Sequence, residues 1–385
     1  MIQMRSGLKR LAALGIDGAL RLLPRAADIA GRAIGPAPRV LVIRCDHIGD
    51  AVMATSVLEP IRRALSPARL DVLAGPWGEA IFRANPAVDD VLVFATPWWL
   101  AARGAGPLTR FRAWGRLPAF MRRLRARRYD VAIDLRGDLR QIAFFAAGSG
   151  AAERVSSDRT GGRSLLTRCS RYEPGRHEVD QDAAVATLVG AVGPFAPTLA
   201  LPVTADASSS ALGVPEGAPF VVLALAGTEE NRSWPASFAA EVADAIWRDH
   251  AVRAVIVGTD ADRARATEIA TLSNSPVIDL CGRTTLPALV ATIGRARAAV
   301  VVDSGPMHIA SALGVPTVAL FGPGDPAECA PRGATSVVLS TKAPCGCVHP
   351  RCDFGPGPGR CMLQLTPDRV IDALTPLLSS MAPVA

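Results

Sequence analysis

No run of 18 or more uninterrupted apolar residues occurs in the 385-residue chain, so a membrane-spanning helix, which needs about 20 such residues, is not expected. The opening residues Met-Ile-Gln-Met-Arg-Ser-Gly-Leu-Lys-Arg lack an apolar core followed by a small-residue cleavage site, so no secretory signal is read. No Gly-x-Gly-x-x-Gly follows any strand-like run, which argues against an ordinary nicotinamide or flavin site. Charged residues make up only 20% of the chain, against 49% hydrophobic. That balance fits a folded globular protein.

Charge is unevenly spread. Residues 1–205 carry 29 Lys/Arg against 18 Asp/Glu, and residues 206–385 carry 13 against 17. The basic half should meet something anionic: a phosphorylated glycan, an acidic lipid surface or nucleic acid. Cys45, Cys169, Cys281 and Cys329 are scattered, which suits a reduced cytoplasmic protein.

Residues 1–36 read as a basic amphipathic appendage, with Leu8, Leu11, Leu14, Leu22 and Leu23 near helical spacing and arginines between them. Either a membrane interface or the body of the protein could take its apolar face. Apolar runs at 39–44, 70–74, 91–94 and 131–135 then alternate with helical stretches at 51–65 and 111–128. A second series at 220–226, 254–257, 277–280, 299–302 and 317–321 follows a Pro/Ser/Gly-rich segment. The expected architecture is α/β: two Rossmann-like, doubly wound parallel-sheet domains facing a cleft. Their expected spans are 37–205 and 219–385, with a linker at 206–218. Ligands of such sheets bind at the carboxyl ends of the strands, so the loops just after each run carry the information.

After the first run comes Cys45-Asp-His-Ile-Gly-Asp50. Gly49 permits a tight turn, and Asp50 is either a helix N-cap or a general base; Asp46 and His47 are rival bases. In Ala226-Gly-Thr-Glu-Glu-Asn-Arg-Ser-Trp-Pro235, Gly227 lets a ligand approach the backbone. Thr228 offers a hydroxyl there and Arg232 a phosphate partner. After 254–257 comes Gly258-Thr-Asp-Ala-Asp262, where a carboxylate could accept from ribose hydroxyls. Val301-Val-Asp-Ser-Gly-Pro-Met-His308 ends a strand in Asp303 and starts a helix behind Ser304 and Gly305. A helix start with small residues binds anions readily, and His308 lies on its first turn. Gly322 and Asp325, in Phe321-Gly-Pro-Gly-Asp-Pro326, could line the same pocket.

Four features in this order resemble glycosyltransferase family 9, the ADP-heptose:lipopolysaccharide heptosyltransferases of the GT-B fold, over about 39–377. They are Arg44-x-Asp46-x-x-Gly49-Asp50, Gly227…Trp234-Pro235, Asp303-Ser-Gly-Pro-Met-His308 and Phe321-Gly-Pro-x-Asp325. The resemblance implies transfer from a nucleotide-diphosphate sugar, ADP-heptose in the family, to an envelope glycolipid. The transfer is expected to invert the anomeric centre and to be metal-independent, with the helix start and Arg232 rather than a metal stabilising the leaving diphosphate. No cofactor is required. Asp50 would deprotonate the acceptor, with Arg44, Asp46, His47, Gly49 and Arg136 on the acceptor side. Thr228 and Arg232 would meet the diphosphate, and Asp262 the ribose. Ser304, Gly305 and the helix carrying His308 would bind phosphates or the sugar. The family commonly has Lys where Arg232 stands, and small hydroxyl residues where Asp46 and His47 stand.

Two features remain. Arg103, Arg110, Arg112, Arg116, Arg122, Arg123, Arg125, Arg127 and Arg128 fall in 26 residues without an acid, with Trp98, Trp99, Phe111, Trp114 and Phe120 among or beside them. Contact with a phosphorylated lipid-linked acceptor or an anionic membrane face is preferred to a solvated helix face, and both to nucleic acid. Cys345, Cys347, Cys352 and Cys361, with His349 among them, lie in a Pro/Gly-rich loop at 345–361. A structural zinc, a disulfide and reduced packing thiols stay open. A monomer at the cytoplasmic face of the inner membrane is expected. The rivals are a nucleotide-sugar epimerase or hydrolase of GT-B-like fold, and a catalytically silent homologue that binds lipid or nucleic acid.

Overall fold

The structure, a computed structural model, describes residues 35–102, 104–200, 213–214, 217–227, 229–333, 335–341 and 358–379. The chain divides into two compact units, Met1–Thr198 and Leu199–Ala385. Residues 1–34 of the basic appendage, most of the 206–218 segment, Arg103, Thr228, Cys345, Cys347, His349 and Cys352 lie outside the described residues.

In the first unit, Val40, Leu41, Val42 and Ile43 make β1 (Arg39–Arg44) an apolar run with no exposed surface at those four positions. Such a run needs cover on both faces, so it sits mid-sheet. Around it lie β2 (Arg69–Ala74), β3 (Asp90–Val93), β4 (Val131–Asp134), β5 (Glu153–Ser157) and β6 (Arg168–Ser170). The order is β3-β2-β1-β4-β5-β6, with every pairing parallel. Chain direction across the sheet therefore reverses between β1 and β4.

The second unit repeats the plan. Its strands are β7 (Phe220–Ala224), β8 (Arg253–Ile256), β9 (Val277–Asp279), β10 (Ala298–Val302), β11 (Thr317–Phe321) and β12 (Ser336–Ser340). They run in the order β12-β11-β10-β7-β8-β9, all parallel, with the reversal between β7 and β10. The helices Ala236–His250 and Pro367–Ser379 bring Val242, Ile246, Val370 and Leu374 onto this sheet's core. Trp234 is fully buried there and its indole donates to the Leu365 carbonyl at 2.8 Å.

Three strands lie outside the expected runs: β5 and β6 have no apolar run, while β12 carries only a short one, Val337–Leu339, between serines. β5 is Glu-Arg-Val-Ser-Ser, buried at four of its five positions; Ser156 is accommodated because its hydroxyl donates to Asp134 at 2.7 Å. β6 has three residues and is an edge strand, as is β12. Edge strands keep one flank in solvent and need less apolar content. The helix expected at 111–128 starts earlier, at Pro107, because proline suits a first turn whose N–H groups need no partner.

Candidate functional site

Both reversals place loops at the carboxyl ends of neighbouring strands, where open α/β sheets bind ligands. In the first unit β1 ends in Arg44, which is 1% exposed. A charge this deep needs compensation. Its Nη1 donates to Asp182 Oδ1 at 2.8 Å and to the Leu135 carbonyl at 3.1 Å. Its Nη2 donates to Asp50 Oδ1 at 3.3 Å. Asp46 Oδ2 lies 3.2 Å from Nε, and Glu178 Oε2 lies 3.8 Å from Nη2. Arg136, just past β4, stands 3.5 Å from Asp50 and 3.6 Å from Asp46, while Arg159 pairs with Glu178 at 2.7 Å.

Asp50 is not an N-cap. His47 is the N-cap of the helix Ile48–Leu65, and Asp50 at N3 accepts from the His47 backbone N–H at 3.2 Å. The His47 ring lies 3.3 Å from the same Oδ2. Burial alone would raise the Asp50 carboxyl. Arg136, the His47 hydrogen bond and Arg44 outweigh it and hold Asp50 well below the usual carboxylate range. Glu178 is also held low, by Arg159, Arg136 and Arg44 against burial.

Asp182 goes the other way: burial drives it up to about 8, against the pull of Arg44. Its Oδ1 takes the Arg44 hydrogen bond, whereas Oδ2 is buried without a partner. Three guanidiniums face four carboxylates. The cluster titrates as a unit. Beside it, burial lifts Asp134 at the end of β4 up to about 7, despite bonds from Ser156 and the Gly137 amide. Aromatic rings border the loop. His47 meets Trp99 edge-on at 4.2 Å, Trp77 lies 5.5 Å from Trp99, and the Trp77 indole donates to the Asp46 carbonyl. Chemically, the arrangement is a permanently ionised carboxylate beside cations and rings.

In the second unit the loops after β7 and β10 meet. Arg232 Nη1 lies 3.1 Å from Asp303 Oδ2, and Nε is 3.4 Å from Glu229 without hydrogen-bond alignment. A Cβ at Gly227 would sit 2.6 Å from Arg232 Cβ, and one at Gly324 would sit 2.5 Å from Asp303 Oδ2. Only glycine fits at either position without shifting that ion pair. The helix Gly305–Ala312 opens behind Ser304, whose hydroxyl turns back to the Val302 carbonyl at 3.0 Å, so no side chain caps the helix start. That start keeps its partial positive charge for an anion. His308 is buried on its first turn.

The other expected residues have local tasks. Asp262 Oδ2 accepts from the Thr259 amide at 2.7 Å and its hydroxyl at 2.8 Å. Asp260, two residues earlier at a spacing a divalent cation could use, pairs with Arg263 at 3.0 Å. Asp325 caps Pro326–Cys329 through the Ala327 amide at 2.9 Å. Gly322 packs against Met362 and Cys361, and Cys361 is buried core. Among the described residues no group of three or more His, Cys, Asp or Glu could hold a metal. Arg127 leaves the arginine stretch to pair with Asp71 and Asp90, both at 2.8 Å.

The sequence reading missed Glu178, Asp182, Arg159, Gln141 and Trp77. Glu178 and Asp182 carried a signal. Acids at i and i+4 on one helix repel, so the pair points to a cation shared from elsewhere in the fold. Gln141, which donates to Asp46 at 3.1 Å, carried none.

Residues 117–356 match the family described as glycosyltransferase family 9 (heptosyltransferase). Lipopolysaccharide heptosyltransferase 1 of Pseudomonas aeruginosa is 27% identical over 366 residues, covering 88% of this chain and 98% of the relative. Among solved structures, E. coli ADP-heptose lps heptosyltransferase II superposes with a TM-score of 0.71 at 22% identity, covering 89% of this chain and 98% of that one. E. coli heptosyltransferase WaaC with ADP-2-deoxy-2-fluoro heptose gives 0.66 at 20%, covering 88% and 99%. The two structural likenesses establish the shared fold, and the family match spans more than half of the sequence: the chain is a glycosyltransferase and belongs to family 9.

Proposed function

We propose that the chain transfers a heptose from ADP-heptose to a lipopolysaccharide-type glycolipid, with inversion at the anomeric carbon and without a catalytic metal. The observation that carries this is Asp50, an ionised carboxylate held by Arg44, Arg136 and His47 at the switch point of its sheet. The first unit then serves the acceptor and the second the donor. The acceptor hydroxyl gives its proton to Asp50 as its oxygen attacks the anomeric carbon and the bond to the nucleotide diphosphate breaks. A carboxylate held this low is always available but weakly basic. An acceptor that displaces the His47 contact would raise its basicity at the moment of use.

Charge developing on the leaving diphosphate is met by Arg232, whose Nη2 lies outside its two carboxylate pairs, and by the Gly305–Ala312 helix start. Fixed cationic and amide donors of this kind stabilise a leaving anion without solvent reorganisation. Thr228 completes the diphosphate contact, and Asp262 Oδ1, outside the Thr259 bonds, takes the ribose. The names of the relatives support heptose as the sugar and ADP as the nucleotide. The glycolipid acceptor places the enzyme peripherally on the anionic cytoplasmic face of the membrane. The test is product analysis with ADP-heptose, with and without a heptose-deficient lipopolysaccharide acceptor. The expected result is an inverted linkage formed only with acceptor, insensitive to chelator, and abolished by Asp50→Ala. Free or epimerised heptose without acceptor, or undiminished transfer by the variant, would overturn the proposal.

A further inference from the structure

Among the described residues, three of the eight exposed large hydrophobic side chains sit within seven positions of one helix. Leu108 is 62% exposed, Phe111 76% and Trp114 46%, all on Pro107–Ala126. The buried stripe of that helix is Ala113, Leu117, Phe120 and Leu124. At about 100° per residue, Leu108, Phe111, Gly115 and Ala119 run along the opposite side, with Arg112, Arg116, Arg122 and Arg123 beside them. All four arginines are exposed, and no acid occurs from 103 to 128. An ordinary solvated helix face carries both signs of charge and few large apolar groups. This face carries one sign and an apolar ridge.

We propose that the outer face of the helix Pro107–Ala126 docks on an anionic lipid leaflet, with Leu108 and Phe111 entering the headgroup boundary and the arginines holding lipid phosphates. The inference rests on the proposed glycolipid acceptor and names the surface that would bring the enzyme to it. Charge complementarity selects the partner. A leaflet of acidic lipids attracts an all-basic face, and its interior rewards apolar side chains at the same depth. Arginine stems lie along apolar surface while their heads stay in the phosphate layer. Nucleic acid would use the arginines and could stack on Phe111, but it gives Leu108 nothing to enter. The helix is a rigid platform: its end is tied down by Arg127 to Asp71 and Asp90, and Trp114 leans on Trp98 and Phe144.

The test uses the full chain with vesicles of pure phosphatidylcholine, or of phosphatidylcholine with phosphatidylglycerol, in co-sedimentation. Two variants alter exposed side chains only: Leu108→Ser/Phe111→Ser, and Arg112→Gln/Arg116→Gln/Arg122→Gln/Arg123→Gln. The native chain should bind the anionic vesicles and not the neutral ones. The arginine variant should lose at least about tenfold in partitioning, since each surface arginine is worth roughly a factor of five near an anionic leaflet. The apolar variant should lose several-fold. Both should keep native melting temperatures and native transfer to a water-soluble, delipidated acceptor. Transfer to that acceptor tests the proposed function separately, because it involves no membrane. Native-like binding of anionic vesicles by both variants would overturn the proposal. So would equal binding of neutral vesicles, or binding of duplex DNA in place of vesicles that disappears with the arginines.

Discussion

The two sheets share one strand order, yet their switch points are furnished in opposite ways. At the β1/β4 reversal, Arg44, Arg136 and Arg159 are interleaved with Asp46, Asp50, Glu178 and Asp182, largely out of solvent. At the β7/β10 reversal a single guanidinium, Arg232, pairs with Asp303 and Glu229, with glycines packed close to the Asp303 pair, beside a helix start with no capping side chain. The same backbone crevice is thus furnished in two ways, which under the proposed function suit two chemistries. A dense charge network fixes one carboxylate in place, as proton transfer demands. Sparse side chains and open amides suit an anion that must enter and leave. Only two of the chain's 42 basic residues are lysines, Lys9 and Lys342, so both sites are built from planar, forked guanidiniums. Arg232 in a position the family commonly gives to Lys fits that chain-wide habit.

Substitutions on the two sides should separate stability from ligand binding. Arg44→Met leaves buried carboxylates uncompensated and should cost about 3–5 kcal/mol, read by urea unfolding. Arg232→Met removes a half-buried charge and should barely move that curve. It should instead weaken ADP binding about tenfold or more in calorimetry, the scale of a lost charge-assisted hydrogen bond. Gly227→Ala tests the same cradle without touching charge. Its Cβ would press on Arg232 and should weaken ADP binding several-fold.

Asp182→Asn sharpens the first side through pH. The folded carboxyl, up to about 8, lies above its unfolded value of about 4, so between them the folded state holds the extra proton. The stability from that proton is full below the unfolded value and is lost as pH rises to about 8. The Asn variant lacks this loss, so its stability relative to the native chain should improve steadily from about pH 4 to 8 in unfolding titrations. An unchanged difference across that range would place the proton elsewhere in the cluster. The smallest effect belongs to Asp325→Ala. Losing its cap should cost about 1 kcal/mol or less, with ADP affinity unchanged if capping is its whole role.

Most of the scaffold was legible because buried parallel strands are written as apolar runs, and nine of them stand in the sequence. β5 escaped because its interior is serine and glutamate paired with neighbours, a pattern that local hydrophobicity cannot reveal. At the site, residues on the loops after β1, β7 and β10 could be named from position alone. Asp50 read as N-cap or base and stands at N3, because His47 takes the cap. The residues that hold Asp50 come from further off: Asp182 lies 138 positions from Arg44. Only the fold brings such separations together. Asp262 and Asp325 show the converse. Both stand where ligand contacts were expected, and both spend oxygens on capping their own helix starts.

Calorimetric titration of ADP into Asp50→Asn, beside a transfer assay on the same preparation, tests the division of labour most directly. The ADP dissociation constant should stay within about twofold of the native value, while transfer falls by a factor of about 100 or more. Transfer that survives, or ADP binding weakened as much as by Arg232→Met, would contradict that division.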